Sequence, residues 1–155
     1  LKNISKYLYL ILDYLIISKK INFTKKIIKK DHIQEILANL KNVLLKVDIE
    51  GSEYLVLEDI IKVQKRLNGL IIEFHDVEKN RYIIERFIRK FELELSHIHP
   101  NNYGKLDKNN DPNIIELSFE RYPEIVDKDI KFPHDLDQRN NLSKPEIIIK
   151  FEDQN

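Results

Sequence analysis

The chain has 155 residues, 26 basic and 26 acidic, so its formal net charge is zero and no overall field draws it to nucleic acid or an anionic membrane surface. Hydrophobic residues make up 42% and charged residues 34%, the balance of a globular protein with one core. The absence of cysteine excludes disulfides, thiolate zinc sites and a cysteine nucleophile, and fits a reducing, cytoplasmic setting.

The sequence starts at Leu1 and contains no methionine, so a piece of a longer protein or a product of a non-standard start is expected. The apolar run Tyr7 to Ile17 contains Asp13 and falls well short of the ~20 residues needed to cross a bilayer. No small-residue cleavage site follows it. Residues 1–41 therefore read as an N-terminal remnant or connecting segment holding a buried strand or helix. The lysine pairs Lys19-Lys20, Lys25-Lys26 and Lys29-Lys30 lack interleaved aromatics and read as a solvated face.

Regular patterning starts at Asn42. Val43-Leu44-Leu45-Lys46-Val47 reads as a strand covered on both faces, with Lys46 snorkelling at its edge. Gly51 and Ser52 break it; Ser52 as N-cap, Glu53 in the first turn and the spacing of Leu57, Ile60 and Ile61 predict a helix over 52–67, ended by Asn68-Gly69. Leu70 to His75 reads as a second strand, and Ile83, Ile84, Phe87, Ile88 and Phe91 line one face of a second helix. Phe91 to Ile98 and Asn113 to Glu120 read as two further strands, and the helix-free loop between them permits an antiparallel return. These elements form a unit over 42–121 with an α/β fold. Residues 122–155, punctuated by Pro123, Pro133 and Pro145, read as an extended wrap ending in a short strand at Ile147-Ile148-Ile149.

Unusual polar residues gather where strands end, which is where ligands bind in an open parallel sheet. Asp48 and Glu50 leave the first strand, Glu73, His75 and Asp76 the second, His97 and His99 the third, with Asn101, Asn102, Tyr103 and Gly104 in the following loop. If the first two strands are neighbours, carboxylates and an imidazole share one rim. Asp48 and Glu50 flank a single residue and repel each other, and Gly51 lets a backbone or ligand come close. Glu53 reads as a complement to the helix dipole. His75 is a candidate general base or metal ligand, set against the plainer reading of a hydrogen-bonded scaffold residue. His97-x-His99 points to one strand face, but no third ligand has diagnostic spacing, so no metal site is expected.

The stretch Lys46-Val47-Asp48-Ile49-Glu50-Gly51-Ser52-Glu53, the following Val56-Leu57 and the strand end at Glu73 resemble the second half of FkbM-type methyltransferases, whose mark is Lys-Ile-Asp-x-Glu-Gly-x-Glu. The similarity runs over about residues 42–152, including the His97 to Phe119 stretch and Phe132 to Asn141. It implies a partial Rossmann-like methyltransferase sheet, mostly parallel with an antiparallel closing strand, and methyl transfer from S-adenosylmethionine to a hydroxyl of a sugar or related metabolite. In those terms Asp48, then His75, orients or deprotonates the acceptor. Glu50, Glu73, Asn101, Asn102 and Tyr103 bind it, and Glu53 is structural.

The cofactor half of that pattern is missing. A glycine-rich turn after a first strand and an acidic ribose-binding residue are needed, and the three glycines, Gly51, Gly69 and Gly104, make no such turn. The expectation is therefore a methyltransferase fragment acting on a small-molecule or glycan acceptor, inactive alone. The alternative is a non-catalytic interaction or glycan-associated module derived from a truncated methyltransferase. Either way, a sheet edge is left where cofactor strands would pair, open to self-association or to cover by the N-terminal apolar segment.

Overall fold

The computed structural model describes residues 25, 27–124, 132–135 and 137–149, so the Tyr7 to Ile17 run lies outside the described residues. The chain folds as α/β. Its elements are α1 (His32–Leu37), β1 (Val43–Val47), α2 (Leu57–Val63) between 3-10 turns Glu53–Leu55 and Gln64–Arg66, β2 (Leu67–His75), α3 (Val77–Lys90), β3 (Glu94–Pro100) and β4 (Ile114–Glu120).

The four strands form one open sheet in the order β1-β2-β4-β3. β1 pairs with β2 in parallel, Val47 opposite Ile72, whereas β4 runs antiparallel to both β2 and β3. The sheet is thus mixed, with one parallel pair and two antiparallel ones. The expected mostly parallel character survives in direction alone: β1, β2 and β3 point the same way, and inserted β4 opposes them. The return from β3 to β4 is the expected hairpin-like pair.

Burial alternates along β2 and β4, so Leu70, Ile72, Phe74, Leu117 and Phe119 are buried while Ile71, Glu73, His75 and Glu116 are only partly covered. The buried set joins Ile33 and Leu37 of α1, Ile60 and Val63 of α2, and Ile84 and Phe87 of α3 in one core. Phe87 stacks on Phe91 with centroids 5.0 Å apart, and Phe91 meets Phe119 edge-on at 5.2 Å. Such pairs add about 0.5–1.5 kcal/mol each beyond area burial. Packing also crosses the expected boundary at residue 42. Fully buried Asp59 of α2 accepts the Asp31 N–H and, at 2.8 Å, the Gln34 amide, fixing α1 to the core.

Several expectations change. β1 is not covered on both faces: it is an edge of the described sheet, and Leu44 is 68% exposed. The single helix over 52–67 is instead a 3-10 turn, α2 and a second 3-10 turn, with Val56 at the first junction, and Ser52 makes no side-chain cap. Asn68-Gly69 is not a C-cap but lies inside β2, where Gly69 pairs with Glu120 and the Asn68 carbonyl accepts the Arg121 N–H. β3 starts at Glu94 rather than Phe91, because the Phe91 amide still bonds to the helix carbonyls of Phe87 and Ile88. Ile147 to Ile149 forms no strand. No helix among the described residues is long and apolar enough to cross a membrane.

The sheet assignment fixes an order of mutational effects. Phe119→Ala, at a site 1% exposed, is expected to lower stability by about 3–5 kcal/mol, and Leu44→Ala by no more than about 0.5 kcal/mol, in urea denaturation. Equal losses would contradict it.

Candidate functional site

Because β1 and β2 run in parallel, both finish at the same edge, and the turn after β1 folds across the end of β2. Ile49 to Ser52 is a tight turn, closed by Ser52 N–H to the Ile49 carbonyl at 3.2 Å, with positive φ at Glu50 (52°) and Gly51 (91°). Two such residues in succession suit glycine and strain a glutamate by roughly 1–2 kcal/mol. Strain of this kind gathers at functional positions.

The turn delivers two carboxylates to one imidazole. Glu53 Oε1 lies 3.0 Å from His75 Nδ1, Glu73 Oε1 lies 3.3 Å from Nε2, and Glu50 Oε2 lies 3.4 Å from Nε2. Their environments differ sharply: the side chains are 0% exposed for Glu53, 12% for Glu73 and 86% for Glu50. Glu53 Oε1 also accepts the Gly51 N–H at 2.9 Å. The next residue, Tyr54, donates its hydroxyl to the His75 carbonyl, so one short turn grips both the ring and the backbone of His75. Burial, with the Glu53 carboxylate nearby, pushes the Tyr54 hydroxyl from 10.0 up to about 12.

β3 brings the third contribution. Asn101, just past its end, donates through Nδ2 to both oxygens of Glu73 at 3.3 and 3.2 Å, and its Oδ1 accepts the Tyr103 N–H. Glu73 stands directly opposite Glu116 across β2 and β4, a like-charge pair. Lys46 reaches over from β1 to bond Glu116 at 2.8 Å, and that bond holds its ammonium above the ordinary value. Lys46 is therefore an ion-pair partner and not merely a snorkelling stem.

The structure thus brings together Glu50, Glu53, Glu73, His75 and Asn101. Asp48 is exposed and makes no hydrogen bond or ion pair among the described residues, so His75 and not Asp48 is the centre of the group. Asp76 caps α3 in a left-handed conformation and pairs with Lys79. Asn102 is engaged by the tail: Nδ2 donates to the carbonyls of Asn141, Lys144 and Pro145, and Oδ1 accepts the Asn141 N–H. Tyr103 is exposed. His97 and His99 lie inside β3 rather than past its end; His97 Nε2 meets Asp137 of the tail at 2.8 Å, and His99 Nε2 is buried with no partner among the described residues. No group of three or more metal-ligating residues is arranged to hold an ion among the described residues.

Glu53 is the residue that sequence reasoning undervalued. Its signal was the pairing of a positive-φ glycine with an acid two residues later, which sets a carboxylate against that glycine's own amide. The cleft of about 90 Å³ between α2 and α3, lined by Leu57, Ile61, Tyr82 and Phe87, lies on the helix layer and includes no member of the group, only neighbouring Tyr54.

Among the described residues no glycine turn fits S-adenosylmethionine. A Cβ on Gly69 would meet Leu44 at 2.8 Å and one on Gly104 would meet Ile114 at 3.0 Å, so both glycines serve protein packing; Gly51 stands alone in open space. None forms a phosphate- or nucleoside-cradling turn. The sequence matches no protein-family model, and no curated protein or solved structure matches it.

Tyr54 supplies a pH test. Below pH 10.0 its hydroxyl is protonated whether the chain is folded or not; between 10.0 and about 12 the unfolded chain releases the proton first, so stability falls through that window. Urea midpoints across it are expected to drop more steeply in the native chain than in Tyr54→Phe, and identical slopes would contradict the burial of this hydroxyl.

Proposed function

We propose that the chain supplies the acceptor side of an S-adenosylmethionine-dependent O-methyltransferase of FkbM type, acting on a hydroxyl of a sugar or related hydroxylated metabolite. The observation that carries this reading is the imidazole of His75 held among Glu50, Glu53 and Glu73 at the common end of two parallel strands. An alcohol attacks an alkyl donor faster when a base takes its proton as the new bond forms, an effect of typically 10²–10⁴-fold. His75 is that base: the proton passes from the acceptor oxygen to Nε2, and the imidazolium so formed has a carboxylate beside each nitrogen. Glu73, steadied by Asn101, and Glu50 accept hydrogen bonds from neighbouring hydroxyls of a polyol, which aligns the reacting one. No described residue holds the methyl donor, so the role assigned to this chain ends at the acceptor.

The lack of a cofactor cradle among the described residues favours a second reading, a non-catalytic, glycan-associated module derived from a truncated methyltransferase. The two readings part in one experiment. Methyl glycosides of common hexoses are titrated into the isotope-labelled chain up to about 50 mM, beyond the weakest useful affinity, and then offered labelled S-adenosylmethionine with the full product of the gene. Both readings predict shifts at His75, Glu73 and Asn101. The methyltransferase reading further predicts transfer that falls about 10²-fold or more in His75→Gln. Binding without transfer supports the module, and no shift with any sugar contradicts both.

A further inference from the structure

We propose that Glu53 is a positioning residue that decides which nitrogen of His75 carries the proton, holding the neutral ring in the Nδ1–H form so that Nε2 faces the ledge with a free lone pair. The inference rests on the reading of His75 as the proton acceptor.

The ring is pulled from both sides. Nε2 faces two carboxylate oxygens, Glu73 Oε1 at 3.3 Å and Glu50 Oε2 at 3.4 Å, and these alone would draw the single proton of a neutral imidazole to Nε2. A ring so protonated cannot accept a proton from a substrate hydroxyl at that atom. Glu53 opposes them across Nδ1 at 3.0 Å, the shortest of the three contacts. Its side chain is 0% exposed whereas that of Glu50 is 86% exposed, so water screens the pull of Glu50 but not that of Glu53. Glu73 is only partly covered, its side chain 12% exposed, and its charge is shared with the two bonds from Asn101.

The direction of the Glu53 bond follows from its other partner. Oε1 already accepts the Gly51 N–H at 2.9 Å, and Oε2 is buried with no donor among the described residues. The whole carboxylate charge is therefore answered by one backbone amide and by Nδ1, which makes Nδ1 the donor. The Gly51 amide is aimed at Glu53 by the left-handed turn, and the Tyr54 hydroxyl on the His75 carbonyl keeps the strand end from moving away. A buried acid that orients a histidine from behind and selects its tautomer is a general device for activating an imidazole.

The test is spectroscopic and needs no substrate. Two-bond nitrogen–proton correlation spectra of the neutral imidazoles separate Nδ1–H from Nε2–H rings, and loss of one ring signal in His75→Gln assigns His75 among the five histidines. The native chain is expected to show His75 as Nδ1–H. Glu53→Gln, which removes the charge but keeps the shape, is expected to shift the tautomer ratio toward Nε2–H by about tenfold, the difference between a charge-assisted and a neutral hydrogen bond. Glu73→Gln is expected to keep or strengthen the Nδ1–H form. An Nε2–H ring in the native chain overturns the inference, as does a folded Glu53→Gln with an unchanged ratio. Should Glu53→Gln fail to fold, the native and Glu73→Gln spectra decide. An Nδ1–H ring with no sugar response would overturn the functional reading and leave this assignment intact.

Discussion

The parallel register of β1 against β2, Val47 beside Ile72, is the constraint on which the rest depends. Parallel neighbours cannot be joined by a hairpin, so the chain must cross over through α2, and the crossover has to begin with a turn at the end of β1. That turn lies over the end of β2 because the two strands finish at the same edge. Glu50 and Glu53 therefore meet His75 although they are 25 and 22 residues away in sequence. The insertion of antiparallel β4 between β2 and β3 leaves β3 running the same way as β1 and β2, so Asn101 arrives at that edge too.

The two faces of the sheet are treated differently, and the difference positions the ledge. The helices stand over the face carrying Phe74 and Phe119, where aromatic packing and full burial supply the stability. The other face carries charge: Glu73 opposite Glu116, relieved by Lys46 and Asn101, and His97 held by Asp137 of the tail. The tail is tied down by the amide of Asn102, beside the very residue that steadies Glu73. The polar edge of Glu50, Glu73 and His75 is thus set apart from the face against which α2 and α3 pack.

Much of this was legible in sequence wherever local pattern and tertiary role agree. The continuous run Leu70 to Phe74, the acids around Gly51 and the hairpin return before Glu120 each announced themselves, and of the two first-strand acids expected beside His75, Glu50 meets it and Asp48 does not. What failed were positions whose role is set by distant partners. Asn68-Gly69 has the composition of a helix end, yet β4 recruits it into the sheet through Glu120 and Arg121. Asp48 was expected to act on the acceptor and Glu50 only to bind it, but the turn sends Glu50 toward His75 and leaves Asp48 in solvent. Glu53 looked like a dipole complement because nothing nearby in sequence reveals that β2 will close over it. Asn102 meets a tail segment 39 residues further on, beyond any periodicity.

The central claim is that buried Glu53 and His75 act as one unit at the end of the parallel pair. A double-mutant cycle on folding stability, with Glu53→Gln, His75→Gln and the double variant compared by urea denaturation, measures that unit directly. The account predicts a coupling free energy of at least about 1 kcal/mol, as for contacting residues in one hydrogen-bonded network. Additive losses, within about 0.3 kcal/mol, would contradict it.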